Sequence, residues 1–351
     1  MRTLIMVFIL AMHLVGPVNG LSGVKRTLAG VFEPEMMTIA DSNLYIVEGT
    51  HVLIYSLKDL RLIKKIGGPG AGPGEFKPAD YWYNTVTVLP DQIFIDGFDK
   101  TAYFSKDGQL LREAKKPIGL SRMVPIGDHF AAVKLEHLEG DIQYHCLFLF
   151  DANGNSLKEI CRQESPVQQM TRKMEMIPDV LNFAVWEDKL FVEKSREGFV
   201  LEIFNSRRDR LCRIEKKIEK IPVTKTHEND AIEAFKTDPF LKRLGFEEFK
   251  RLSTFVWPKS LPPIKDFTVA DGKIYVRTSL GRDGKENWLI LDLKGKTLLR
   301  ADMPRLDNAP LLATLNGVHY YAVHQNKLYF LKDNEKTDEW ELFIEEFPSN
   351  R

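Results

Sequence analysis

The feature that most restricts how this chain can fold is a unit of four short apolar runs, separated by turns, that fills residues 266–300 and recurs along the sequence. In that unit a first run (267–269) meets Asp271-Gly272, and a second (274–276) leads into a polar loop. A third (288–291) meets Lys294-Gly295, and a fourth covers 297–299. Runs of this length bounded by Asp, Asn and Gly read as strands joined by tight turns, because Asp and Asn cap the local backbone and tolerate its left-handed conformation. One such sheet has two apolar faces and nothing to bury them against, so it requires companions.

The companions are present. The first-turn position recurs at Asp41, Asp91, Asp128 and Asp188, and a sixth copy reads as Asn316-Gly317 followed by a second strand at 318–321. The third strand recurs at 52–55, 101–104, 146–150, 199–204, 288–291 and 328–331, and a fourth follows each, the last at 340–343. The mean spacing is about 55 residues against roughly 40–45 for compact repeats, so the long intervals carry insertions. Six four-stranded antiparallel sheets around an axis make an all-β, six-bladed propeller in which each blade buries its faces against two neighbours. Segment 24–31 is left over to close the ring against the C-terminal blade.

Residues 163–180 and 223–264 do not read as strand. In the second stretch, a helical insertion over about 224–263 between blades four and five, Pro239 suits a first helical turn. Phe246, Phe249 and Leu252 follow at helical spacing, and 228–235 suits a preceding helix. The insertion reads as a packed decoration over one face of the disc, with a functional lid as the alternative.

Met1-Arg2, an apolar run over 4–15 and Pro17-Val18-Asn19-Gly20 form the three parts of a signal peptide, cleaved before Leu21. The run is too short to span a bilayer with margin, and no second hydrophobic segment follows. The expected mature chain, 21–351, is one soluble, monomeric propeller domain, periplasmic or extracellular, with no integral membrane segment. Lys plus Arg equals Asp plus Glu at 49 each, which excludes a general electrostatic pull toward nucleic acid. An apolar fraction of 44% with 22 Phe fills a large core, and three cysteines exclude a disulfide-built scaffold. Cys146 and Cys161 lie symmetrically about the Asn153-Gly154 turn, which predicts that they face each other, either as a cross-strand disulfide or as two inert buried thiols.

Between the first two repeats stands Gly67-Gly68-Pro69-Gly70-Ala71-Gly72-Pro73-Gly74-Glu75-Phe76-Lys77-Pro78. It is no phosphate-cradling loop, since its prolines remove backbone donors and no Lys-Ser/Thr follows. As a connector between blades its glycines and prolines fit, with Phe76 as anchor. The run resembles the G-x-G-x-G-P-G-E-F-x-x-P connector of exported bacterial six-bladed propellers related to NHL-repeat proteins. The Asp271-Gly272-Lys273-Ile274-Tyr275-Val276 stretch is similar to their D-G-x-I-Y-V pattern. Blades three and four depart by lacking Gly after the first-turn Asp. The resemblance implies an NHL-like propeller from a group with no single activity, often a platform for ligands or proteins.

Residues leading into the innermost strands line one mouth of a propeller channel; here they are Glu35, Asn84, Arg122, Asn182, Asp266 and Leu311. Glu35, Asn84, Asn182 and Asp266 offer oxygens that could converge on Ca²⁺. They resemble in type and blade origin the metal set of gluconolactonase-like propellers, which implies a divalent-metal-dependent hydrolase or lactonase as the alternative function. Such positions are also polar simply because they meet channel water, and Arg122 sets a positive charge beside them. No G-x-S-x-G, H-E-x-x-H or C-x-x-C occurs. His319 and His324 flank the predicted second strand of blade six and read as structural. Tyr81, Trp82, Tyr83 and Trp257, with Arg122 and Arg277, form a predicted aromatic and cationic rim for a peptide, a carbohydrate or a partner protein. Inter-blade packing of the rings is the other reading. The expected function is therefore an exported, non-catalytic binding or scaffold propeller that needs no cofactor.

Overall fold

A computed structural model describes residues 23–79, 82–137, 142–169, 171–238, 245–306, 318–334, 336–337 and 339–348. The signal-peptide pattern, Tyr81, Pro239, Leu311 and Asn316-Gly317 lie outside these.

Among the described residues, six four-stranded antiparallel sheets follow one another along the chain. Blade one comprises Met36–Ala40, Asn43–Glu48, His51–Ser56 and Leu62–Gly67. Blade two comprises Thr85–Val88, Gln92–Asp96, Lys100–Ser105 and Leu110–Lys115. Blade three comprises Leu120–Ile126, His129–His137, Gln143–Phe150 and Ser156–Glu164. Blade four comprises Phe183–Trp186, Lys189–Glu193, Phe199–Asn205 and Arg210–Lys216. Blade five comprises Ile264–Ala270, Lys273–Thr278, Lys285–Asp292 and Thr297–Pro304. The sixth holds Tyr321–His324, Lys327–Asn334 and Glu339–Glu346, completed by Val24–Thr27 from the other end of the chain.

The packing turns these sheets into a ring. Val47, Val52 and Ile54 of blade one share an apolar cluster with Val86, Ile93 and Ile95 of blade two. Corresponding clusters join blades two and three, three and four, four and five, and five and six. The last, in which Leu44, Ile46 and Leu53 meet Leu331 and Leu342, joins blade six back to blade one. Second and third strands are buried on both faces, as their unbroken apolar runs require, whereas fourth strands such as Leu62–Gly67 are largely exposed. The chain is a six-bladed β-propeller.

Three expectations need correction. Blade six begins later than the repeat pattern indicates: its first turn is Gln325-Asn326, both left-handed, and Tyr321–His324 is the innermost strand. The runs read as third and fourth strands are its second and third, because the outermost strand is Val24–Thr27, paired antiparallel with Glu339–Glu346. His324 accordingly ends the first strand, and His319 precedes it. Next, Cys146 pairs with Arg162 and Leu147 with Cys161, since the register shifts between Leu147 and Phe148. One position of offset sends the two thiols to opposite faces, and all three cysteines are free. Finally, the stretch after residue 163 does contain short strands, Val167–Gln168 and Lys173–Glu175.

Those strands build a cap jointly with the helical insertion. Lys173–Glu175 pairs antiparallel with Val167–Gln168 and parallel with Thr254–Val256, so both insertions share one small sheet. Helix α1 (Lys225–Thr237) starts where the Thr224 backbone N–H donates to His227 Nδ1 at 3.1 Å, and α2 (Phe246–Leu252) follows. The cap has its own core of Met174, Met176 and Phe235, with Phe246, Phe249 and Phe255 packed around it.

The glycine-rich connector crosses between blades one and two. Gly68 N–H donates to the Thr50 carbonyl at 3.1 Å, and Phe76 N–H to the Gly68 carbonyl at 2.7 Å. Phe76 is buried between the two blades, the anchor its position suggested. Gly67 has φ +78°, and a Cβ there would stand 2.5 Å from the Thr50 carbonyl oxygen, so a side chain is excluded both by conformation and by space.

Candidate functional site

The cap roofs one mouth of the channel and leaves a cavity of about 450 Å³ beneath it. Its roof comes from Met174, Met176, Ala231 and Phe235; its floor is the start of the innermost strands of blades four to six, at Asn182, Asp266 and His319–Tyr321. Apolar cap and polar strand starts thus face each other, the composition of a ligand pocket.

The floor is organised by Arg277, carried on the second strand of blade five. Its Nη1 donates to Asp266 Oδ2 at 2.7 Å, while Nε and Nη2 fork onto Glu286 at 2.6 and 2.9 Å. Tyr321 O–H donates to the other Asp266 oxygen at 2.6 Å. Burial acts to lower the guanidinium pKa, but the carboxylates of Asp266 and Glu286 outweigh it and hold Arg277 above its ordinary value. Burial, reinforced by Asp266, pushes the Tyr321 phenol well up. His319 stands 3.9 Å from Asp266, yet burial and the cations Arg122 and Arg277 bring its pKa down to about 4, so its ring is neutral at pH 7.

A second acid group borders the same cavity. Glu193, at the end of the second strand of blade four, is 1% exposed. Its Oε2 accepts from Asn182 Nδ2 at 3.1 Å, and its Oε1 has no hydrogen-bond partner among the described residues. Burial and then the charge of Asp179 raise its pKa well above the carboxylate range. Asp179, itself shifted up by burial, accepts a hydrogen bond from the Ser195 hydroxyl.

The residues singled out from sequence fall in several separate places. Asn182, Asp266 and Arg277 border the cavity. Asn84 and Glu35 lie outside its lining: Asn84 Nδ2 donates to the Gly49 carbonyl at 2.8 Å, and Glu35 is raised to about 8 by burial, then by Glu33. Glu35 adjoins Tyr83, whose phenol is pushed up to about 12 by burial, then by Asp238 at the end of α1 and by Glu35. Loop 82–84 and the insertion therefore share the mouth face. Trp257 packs into the cap core. Trp82 lies edge-on to Phe98 with Lys116 Nζ 4.1 Å from its ring centre. Arg122 stands over the Phe183 ring, its pKa lowered to about 10 by burial. Of the four proposed cation ligands, Asp266 accepts from Arg277 on one oxygen and from Tyr321 on the other.

Glu193, Asp179, Glu286 and Tyr321 went unnoticed in the sequence. Their signal was an acidic residue closing an otherwise apolar buried strand, Leu190-Phe191-Val192-Glu193, or opening one, Glu286 before Trp288.

No protein-family profile matches this chain, and no curated protein sequence does. Among solved structures, it is similar to the β-propeller domain of Cps50 (Swd1) from Myceliophteria thermophila, with 10% identity, 91% of this chain and 99% of that one covered, and a TM-score of 0.44. BamB from Moraxella catarrhalis is similar at 10% identity over 88% of this chain and 71% of that one, TM-score 0.31. A Bacteroides caccae protein of unknown function matches at 10% identity over 84% and 85%, TM-score 0.37. No helix among the described residues is long and apolar enough to cross a membrane.

Proposed function

We propose that this chain is an exported, non-catalytic binding propeller of the NHL-like kind, and that its ligand, a peptide, a sugar or a segment of a partner protein, seats beneath the cap at the channel mouth. The observation that carries this reading is the cavity of about 450 Å³ with an apolar roof and a floor of convergent polar groups. That volume falls within the roughly 300–1,000 Å³ of small-ligand pockets. Binding fits the floor better than turnover does. Arg277 is engaged by both Asp266 and Glu286, so the charged centre of the floor is rigidly placed.

Thermal-shift screening of short peptides and oligosaccharides against the mature chain and its Ala231→Trp variant tests the reading. Ala231 projects from α1 into the cavity, so a ligand of this pocket raises the Tm of the parent and leaves the variant unmoved. Ligands that stabilise both equally would place binding elsewhere. Export is tested separately by N-terminal sequencing of the secreted product, expected to begin at Leu21.

A further inference from the structure

We infer that the group held in the capped cavity is a cation, an ammonium or guanidinium carried on an apolar body, with Glu193 as its counter-ion. The inference rests on the binding reading above and adds the chemistry of the ligand. It starts from an imbalance. Among the described residues, the acids Asp179, Glu193, Asp238 and Asp266 border the cavity, and the cations bordering it are Arg277 and Lys265. Arg277 is spent on Asp266 and Glu286, and Lys265 Nζ lies 3.5 Å from Glu286. Arg196, whose charge reaches Asp179, is bonded to both oxygens of Glu175. His319 is neutral. None of these four groups is bonded to Glu193.

Glu193 is also the buried acid with an open valence. It is 1% exposed, it borders the cavity, and Oε1 has no partner among the described residues. A buried polar atom left unpaired is costly, and native structures keep few of them. An ammonium or guanidinium would complete the Oε1 valence with a charge-assisted hydrogen bond, the strong kind in a dry site. The walls suit what carries such a group: Met174, Met176 and Phe235 present polarisable and aromatic surface to an alkyl stem.

The burial that orphans Oε1 has a second consequence. Burial, then the nearby Asp179, raises the pKa of Glu193 and so favours its protonated form while no cation is present. An arriving cation makes the ionised form favourable, and the carboxyl proton leaves to solvent. Binding and deprotonation are thereby linked.

Titration calorimetry of the mature chain with hexylammonium, hexanol and hexanoate, which share one alkyl body, tests this. Hexylammonium is expected to bind about tenfold or more tightly than hexanol, hexanoate to show no binding, and Glu193→Gln to bring hexylammonium down to the level of hexanol. In buffers of different ionisation enthalpy the unmutated protein releases about one proton per hexylammonium bound. That readout needs no variant to fold. Equal binding of hexylammonium and hexanol, no proton release, or an unaltered preference in Glu193→Gln would overturn the cation assignment and leave the pocket reading standing. Absence of binding by all three probes would overturn the cation assignment too, and ligands from the peptide and sugar screen would then decide the pocket reading alone.

Discussion

Arg277→Leu is the substitution whose effect follows most directly from the geometry. The guanidinium makes three hydrogen bonds to Asp266 and Glu286, which are 8% and 3% exposed. Removing it leaves two carboxylates in a site that excludes water, Asp266 with the Tyr321 hydroxyl and Glu286 with Lys265 at 3.5 Å. Breaking a buried pair by deleting one partner costs about 3–5 kcal/mol. At about 2 °C per kcal/mol for a chain of this size, the Tm falls by about 8 °C. Arg277→Lys keeps a charge but cannot fork onto both carboxylates, so it loses about 1–2 kcal/mol. Differential scanning calorimetry and urea unfolding measure both. Neutralising all three residues together recovers most of the loss. A Leu variant within about 1 kcal/mol of the parent would refute the reasoning, since it would mean that solvent reaches the cavity floor and compensates the charges.

Glu35 is held near 8 rather than 4.5, so its contribution to stability is complete below about pH 4.5 and is lost as pH rises through about 8; Glu35→Gln should flatten that alkaline fall in Tm. Burial lifts the thiol of Cys146 to about 11 and that of Cys161 to about 12, so in the native protein both resist a thiol reagent while half-buried Cys212 reacts first, and mass spectrometry without reductant counts three free thiols. Leu28, 1% exposed in the cluster that joins blades six and one, anchors the chain just after the closing strand; Leu28→Ala is expected to cost about 2–5 kcal/mol in urea unfolding.

Five of the six sheets were legible as complete blades because each carries its turn residues and apolar runs in one continuous stretch. Blade five is the clearest case, with Asp271-Gly272 in the left-handed conformation its residues favour. Blade two had its strands read correctly although its turn Asp91 sits in the second loop position, and Asp128 and Asp188 share that offset: Gly127 and Glu187 take the left-handed first place instead. Blade six misled because its turn, Gln325-Asn326, lacks glycine, while Asn316-Gly317 carries a stronger local signal. Its fourth strand, moreover, lies some three hundred residues away, where no repeat alignment looks. The helices of the insertion were expected, but the small sheet of the cap escaped because strands of two or three residues are too short to show a period, and because a parallel pair between distant segments leaves no hairpin signature. In the site, Asn182, Asp266 and Arg277 were accessible as polar residues at the ends of apolar strands. Their partners were not, since the pairing of Arg277 with Glu286 is a cross-strand diagonal that depends on twist and rotamer, and the burial of Glu193 comes from tertiary packing that no local pattern shows.

The parallel pairing of Lys173–Glu175 with Thr254–Val256 also orders events during synthesis. One partner precedes blade four and the other follows it, so the ribosome must deliver the whole of that blade before the two can meet. Until then Met174 and Met176 have no Phe235 to cover them. The ligand seat is therefore among the later parts of the molecule to be completed, and a nascent chain cannot hold its ligand before its fourth sheet is in place.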